Sequence, residues 1–288
     1  MRLPPFDYHA PHTLEELLTL LAQHGPAARV MGGGTDLLRA LKTGKVCCEH
    51  LIGVKGVQEL GGVEFDEIQG LRVGAHAVLA DVERHPAVRA RYPALAAALD
   101  TLATVQVRHK ATVAGNLCNA SPCADTATPL MAHGARLELV RPSGQREVRV
   151  EEFFRGPGRT LLEADEVVTC IRVPPPRARL RTHFSKFSPR SRVDIAMVNL
   201  TVAMVLDGDL VEHVELFLGT VAPTPMRALR TEAVLRGQRL DAERIRAAAA
   251  AAQAECRPIT DMRATKEYKA RLVHAMTQRA LESLAVVR

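Results

Sequence analysis

The spacing of apolar and polar positions changes several times along the chain, and each change marks an element. In "HTLEELLTLLAQHG" Leu14, Leu17, Leu18 and Leu21 recur at helical spacing and make one stripe. Thr13 stands at the N-cap position, Glu16 completes a capping box with it, and Gly25 supplies the stop. The short apolar run "AARVM" predicts a strand that ends in Gly32, Gly33 and Gly34. "HLIGV" and "LRVGA" predict two more short strands. From residue 76 to about 104 the pattern is helical, broken near Pro86 and Pro93.

"QVRHKATVAGNLCNASPCADTATPLMAHGA" interrupts this regularity with many small residues and little amphipathic period. Its first part is polar and basic; its end, Thr126 to Ala135, predicts a short buried helix. "ARLELVRPSGQREVRVEEFF" alternates as two strands joined at Pro-Ser-Gly. "EVVTCIRVP" is a further strand that runs into Pro174, Pro175 and Pro176, the clearest domain boundary in the chain. Beyond it, "IAMVNLTVAMVLDGDLVEHVELFLG" predicts two long strands around Asp207-Gly208. "RALRTEAVLRG", the alanine-rich "DAERIRAAAAAAQAEC" and "ATKEYKARLVHAMTQRALESLA" predict helices. A small antiparallel sheet followed by helices gives the C-terminal part an α+β character.

Composition narrows the function classes. Aromatics are 3% of residues and Trp is absent, so the core rests on Leu, Val and Ala. No run approaches the ~18 apolar residues of a membrane span, and the N-terminal stretch lacks the apolar core of a secretory signal, so a cytoplasmic protein is expected. The net charge of +6 comes largely from arginines dispersed along the chain. Dispersed charge without interleaved aromatics argues against a nucleic-acid surface, and it suits an anionic ligand or acidic partner. The six cysteines are scattered and read as free thiols. The 11 histidines contain no H-x-x-x-H or H-E-x-x-H pattern, so no catalytic metal is expected, and no acid–base constellation marks catalytic residues.

The candidate chemistry lies in two glycine-bearing stretches. Gly32, Gly33 and Gly34 are followed by Thr35 and Asp36, and Gly115 stands in Thr112-Val113-Ala114-Gly115-Asn116. Glycine lets backbone N–H groups approach an anion, and Thr and Asn add side-chain donors. Neither stretch is the dinucleotide fingerprint G-x-G-x-x-G or a P-loop, and plain tight turns fit each of them equally.

Taken in order, "VMGGGTDLL", "TVAGNLCNASPCADTATPL", "EVVTCIRVP" and "HFSKFSPRSRVDIAMVNL" resemble the flavoprotein subunit of the molybdenum hydroxylase family. Xanthine dehydrogenases, carbon monoxide dehydrogenase and 4-hydroxybenzoyl-CoA reductase belong to that family. The resemblance spans essentially the whole chain. It implies a vanillyl-alcohol-oxidase-type (PCMH-type) FAD-binding fold, α+β in class. The two FAD-binding subdomains would be 1–55 and 56–176, with a C-terminal α+β domain at 177–288 carrying a small antiparallel sheet. The implied FAD contacts are Val30, Met31, Gly32, Gly33, Gly34, Thr35, Asp36 and Leu37, then Leu102, then Thr112, Val113, Ala114, Gly115 and Asn116. Gly32 to Thr35 would lie at the pyrophosphate. Asp125, Val168 and Lys186 match an acidic residue that helps hold the FAD, an apolar residue near the flavin and a nearby lysine. Ala114 departs from the glycine the family often carries there. Cys118 and Cys123 sit where the reductases hold an iron–sulfur insertion, but the further cysteines of a cluster are missing, so they read as buried thiols.

The resemblance implies a subunit that passes electrons from 2Fe–2S clusters to an external acceptor through FAD. A large molybdenum-cofactor subunit and a small 2Fe–2S subunit would be its partners, in a dimer of heterotrimers. It also brings Arg190, Arg192 and Asp194 near the flavin edge or an acceptor site; a solvated loop is the plain alternative. Two other functions stay open: a stand-alone flavin oxidase of the same fold, and a non-enzymatic nucleotide- or anion-binding module.

Overall fold

The computed structural model describes residues 2–190 and 193–286, at 286 the backbone alone. Arg192 lies outside the described residues. The chain divides into two compact units, each assembled from separated segments. The first comprises Met1–His85, Thr104–Ala120 and Ala135–Pro174; the second comprises Pro86–Ala103, Ser121–Gly134 and Pro175–Arg288.

The first unit holds two main sheets. A small parallel sheet has the strand His50–Gly53 at its centre, flanked by Asp7–His9 and Ala28–Met31. The helix Leu14–His24 connects the two outer strands, as parallel pairing requires. It buries Leu17 and Leu21 of its stripe and stops at Gly25, whose φ of 47° suits glycine. The capping box is shifted by one residue: Thr13 Oγ1 accepts from Glu16 N–H at 3.2 Å, while the Glu16 carboxylate accepts from His12 N–H at 2.7 Å.

The second sheet of this unit is antiparallel and five-stranded. Its centre is Val167–Val173, between Gly70–Gly74 and Arg136–Arg141, with Val63–Asp66 and Gly144–Arg149 at the edges. Five of the first six residues of the central strand are buried, which explains its continuous apolar run. Its register shifts between Val168 and Cys170, leaving a bulge at Thr169. The Thr169 hydroxyl donates to Glu138 Oε1 at 2.7 Å, and the Thr169 carbonyl accepts from Ala75 N–H at 3.0 Å, so the bulge is fixed on both sides.

In the second unit, the strands Arg181–Phe187, Val198–Asp207 and Leu210–Gly219 form the body of a four-stranded antiparallel sheet. The turn of the long hairpin is Gly208-Asp209, one residue later than the sequence pattern suggests, because Asp207 pairs with Leu210. Gly208 (φ 56°) leads it, an order that two-residue hairpin loops favour. The helix Lys266–Val286 packs against this sheet and the helix Ala242–Glu255 packs on that helix, so Ala248, Ala252, Val273 and Leu281 share one buried core with Val202, Leu216 and Leu218. Pro86 and Pro93 each open a helix, Pro86–Arg91 and Pro93–Thr101, where the missing N–H costs nothing. The predicted buried helix is Ala127–Ala132, and all six of its residues are buried.

Candidate functional site

A cavity of about 540 Å³ opens in the first unit, within the range of cofactor sites. Both glycine-bearing stretches contribute to its wall: Val30 and Gly32 from one, Thr112, Ala114 and Gly115 from the other. Val167 and Val168 line it from the central strand, next to the bulge at Thr169.

The second stretch is not a loop. Thr112 is the N-cap of a short helix, Val113–Cys118, and its hydroxyl accepts from Gly115 N–H at 2.9 Å. That bond uses the Gly115 amide. The first-turn N–H groups have no intrahelical partner, and Val113 and Ala114 carry them. The first stretch likewise runs into a helix, Leu37–Lys42, after Gly34 takes φ 70°. Sequence periodicity does not reveal either helix, since each is only six residues long.

The three adjacent glycines answer to different constraints. A Cβ at Gly33 would collide with the Lys110 carbonyl oxygen, so this glycine is required by backbone packing inside the protein. The expectation that Gly33 is bare for a pyrophosphate is therefore not needed to explain it. Gly34 is required by its positive φ. Gly32 is the one that faces the cavity; a Cβ there would meet only the Thr112 side chain, at 3.3 Å. Met31, Gly33, Gly34, Thr35, Asp36, Leu37, Val113 and Asn116 lie beside the cavity-lining residues in the chain but are not among those that line it.

The cavity wall carries Arg29 and two carboxylates, Glu163 and Glu166. Glu166, buried in the wall, is neutralised by Arg146, which donates from Nε and Nη2 at 2.7 Å each, and also accepts from Glu163 N–H at 3.0 Å. The Arg146 hydrogen bonds, aided by that amide, hold its carboxyl below the usual range against the effect of burial. Arg29 at the rim donates from Nη1 to the carbonyls of Pro26 (2.8 Å) and Ala28 (2.7 Å). Cys118 also lines the cavity; burial pushes its thiol up to about 12, so it stays protonated and is no thiolate ligand. All six cysteines are free.

Leu102, Asp125 and Lys186 belong to the second unit. Leu102 caps the helix Pro93–Thr101. Lys186 Nζ donates to Asp125 Oδ2 at 2.6 Å and to the Thr101 carbonyl at 3.2 Å, with both side chains almost wholly buried. Asn199 Nδ2 donates to Asp125 Oδ1 at 3.0 Å. The Thr128 hydroxyl donates to Asn199 Oδ1 at 3.3 Å and accepts from Thr201 at 3.1 Å. Burial raises the Asp125 carboxyl, and Lys186 and Asn199 pull against it. Sequence reasoning missed Asn199, Thr128 and Thr201; the available signal was a polar residue interrupting the apolar run "MVNLTVAMV".

Arg190 and Asp194 form a two-bond pair, Nη2 to Oδ1 at 2.7 Å and Nε to Oδ2 at 3.1 Å. Those bonds hold Asp194 down to about 2, on an arginine whose side chain is 82% exposed. His109 is exposed and touches Arg84 Nη2 at 3.5 Å.

Residues 4–176 match the family model described as the FAD binding domain in molybdopterin dehydrogenase. The chain belongs to that family. Residues 183–284 of this flavoprotein match a second model, the CO dehydrogenase flavoprotein C-terminal domain. The flavoprotein is 35% identical over 280 residues to the carbon monoxide dehydrogenase medium chain of Hydrogenophaga pseudoflava, covering 97% of each chain. It is 30% identical over 276 residues to the xanthine dehydrogenase FAD-binding subunit of Escherichia coli O157:H7, covering 96% of this chain and 94% of the relative. Among solved structures, carbon monoxide dehydrogenase from H. pseudoflava superposes with a TM-score of 0.94 at 37% identity, over 99% of this chain and 98% of that one. Quinoline 2-oxidoreductase from Pseudomonas putida 86 superposes with a TM-score of 0.93 at 28% identity, over 99% and 98%. The fold is thus the α+β flavoprotein fold, with an FAD-binding domain and a C-terminal domain built on a small antiparallel sheet. FAD is the cofactor of the family, and its relatives are dehydrogenase subunits. Among the described residues no helix is long and apolar enough to cross a membrane.

Proposed function

We propose that this flavoprotein is the electron-transfer subunit of a molybdenum hydroxylase, and that the cavity of its first unit receives part of the FAD. The observation that carries the reading is the joint lining of that cavity by Gly32 and by Thr112, Ala114 and Gly115, in a chain that matches medium subunits along their length. Bound FAD supplies the redox chemistry, taking electrons singly or in pairs.

The chain's own residues bind and shield. Gly32 leaves the wall open where a side chain would narrow it. Ala114, in the cavity wall, offers a first-turn N–H group to phosphate oxygens. The Arg146–Glu166 pair removes a buried negative charge from the wall. Val168 and Val54 supply apolar surface that excludes water from a bound ring. The chain's FAD-binding subdomains are residues 1–55 and 56–176, and its C-terminal domain is 177–288.

In the proposed assembly a molybdenum-cofactor large subunit carries the substrate chemistry, and a small 2Fe–2S subunit delivers the electrons. The complex is a dimer of heterotrimers and cytoplasmic. The test is anaerobic addition of the complex's oxidisable substrate while the flavin absorbance is followed. Bleaching of the flavin band that reverses with an external acceptor supports the reading. A flavin that stays oxidised while the complex turns over contradicts it.

A further inference from the structure

Three histidines from separate parts of the sequence meet on the small parallel sheet of the first unit. His9 ends the strand Asp7–His9, His50 begins the strand His50–Gly53, and His24 ends the helix Leu14–His24. His9 Nε2 and His50 Nδ1 stand 3.1 Å apart. The rings of His24 and His50 stack with centroids 3.7 Å apart, and those of His9 and His24 are 5.1 Å apart. One ligand atom from each of the three lies within 4.8 Å of the others.

We propose that His9, His24 and His50 form a binding site for a borderline divalent transition-metal ion of the Zn²⁺ class. Nitrogens bound to one tetrahedral ion at ~2.0–2.1 Å lie ~3.3 Å apart, and the His9–His50 separation already matches that edge. Bringing in the third nitrogen closes its distance by roughly 1.5 Å and requires the stacked His24 and His50 rings to open, since an ion lies in the plane of each ring that binds it. The chemistry of the donor set selects the ion: imidazole suits zinc, copper and nickel, whereas calcium and magnesium demand oxygen ligands.

A neutral imidazole offers an in-plane lone pair to a metal ion, and three such rings meet here. On binding, the proton shared by His9 Nε2 and His50 Nδ1 moves to the opposite ring nitrogen or to solvent. Asp7 stands opposite His50 in the strand register, with Oδ2 3.9 Å from His50 Nδ1. Its carboxylate offsets the ion's charge and can fill a fourth position, which water otherwise takes.

The spacing 9, 24, 50 matches no local metal motif, which is why the absence of H-x-x-x-H says nothing about it. Such an ion is structural. It would clip an edge strand, the central strand and the helix end together, in the sheet whose third strand leads into Gly32–Gly34.

The test uses the full chain in its complex, stripped with chelator, dialysed against zinc chloride and then against buffer. Metal per chain is counted by mass spectrometry, and the melting temperature is measured with and without zinc. One zinc per chain, with a zinc-dependent rise in melting temperature, is expected. His9→Gln, His24→Gln and His50→Gln should each weaken retention at least ~10-fold, since losing even a group that only orients a ligand costs that much. His274→Gln, on another helix, should change nothing. His24 is half-buried at a helix end, so its variant keeps the test readable if His50→Gln does not fold. Folded wild type that retains no zinc, or zinc retention undiminished in His9→Gln or His24→Gln, overturns the proposal.

Discussion

Lys186 and Asp125 form a buried ion pair with Nζ and Oδ2 2.6 Å apart, to which the Thr101 carbonyl and the Asn199 amide also bond. Removing one partner of such a pair strands the other charge away from water. Lys186→Met is expected to destabilise the protein by about 3–5 kcal/mol. The double variant Lys186→Met with Asp125→Asn should recover part of that loss. Denaturant melts of the four proteins in the cycle measure the coupling; additive losses would show that the two residues do not act as a pair.

Asn199 reaches Asp125 only because Gly219 pairs opposite it with no side chain. A Cβ at Gly219 would collide with Asn199 Oδ1. Gly219→Ala should therefore cost about 1–3 kcal/mol through overpacking and a lost hydrogen bond. The melting temperature reads this directly, and an unchanged value would contradict the packing described.

His133 is buried with neither ring nitrogen hydrogen-bonded among the described residues, and its ring meets Tyr92 edge-on at 5.1 Å. Burial lowers it to about 4. The unfolded chain takes up this proton near the ordinary histidine value of ~6.5, before the folded chain does. Between about 6.5 and about 4 the unfolded state holds more protons, so stability falls as pH falls, by up to ~1.4 kcal/mol per pH unit. His133→Phe should flatten the stability profile in that window. The same slope in wild type and variant would exclude His133 as its source.

The Thr112 hydroxyl caps the helix Val113–Cys118 beside the cavity. Thr112→Val is expected to cost about 1 kcal/mol of stability and to weaken FAD retention together. Retention unchanged in a destabilised variant would separate the cap from cofactor binding.

Much of the fold is legible in the chain because its elements are long or sharply bounded. The leucine stripe of Leu14–His24, the ten-residue strands flanking Gly208 and the alanine-rich helix each repeat one period long enough to read. The strand Arg181–Phe187 is not legible, since its interior mixes basic, polar and apolar residues that only pairing with Val198–Asp207 makes a strand. The helices Leu37–Lys42 and Val113–Cys118 are too short to show a period, so a capped helix start reads as a glycine loop. The glycines themselves are ambiguous in sequence. Only the nearness of the Lys110 carbonyl distinguishes Gly33, a packing glycine, from Gly32, which faces the cavity. The histidine trio is invisible for the same reason that most tertiary sites are: its members come from three elements.

The most direct test of the account is the FAD content of the protein as purified with its partners, compared with that of Gly32→Leu. The added side chain grows from the cavity wall at a position where a Cβ meets only Thr112. The account predicts one FAD per chain in the wild type, with absorbance near ~450 nm, and at least a ~10-fold loss in the folded variant. A folded Gly32→Leu protein that keeps its full FAD, or a wild-type protein that neither carries nor takes up FAD, would contradict it.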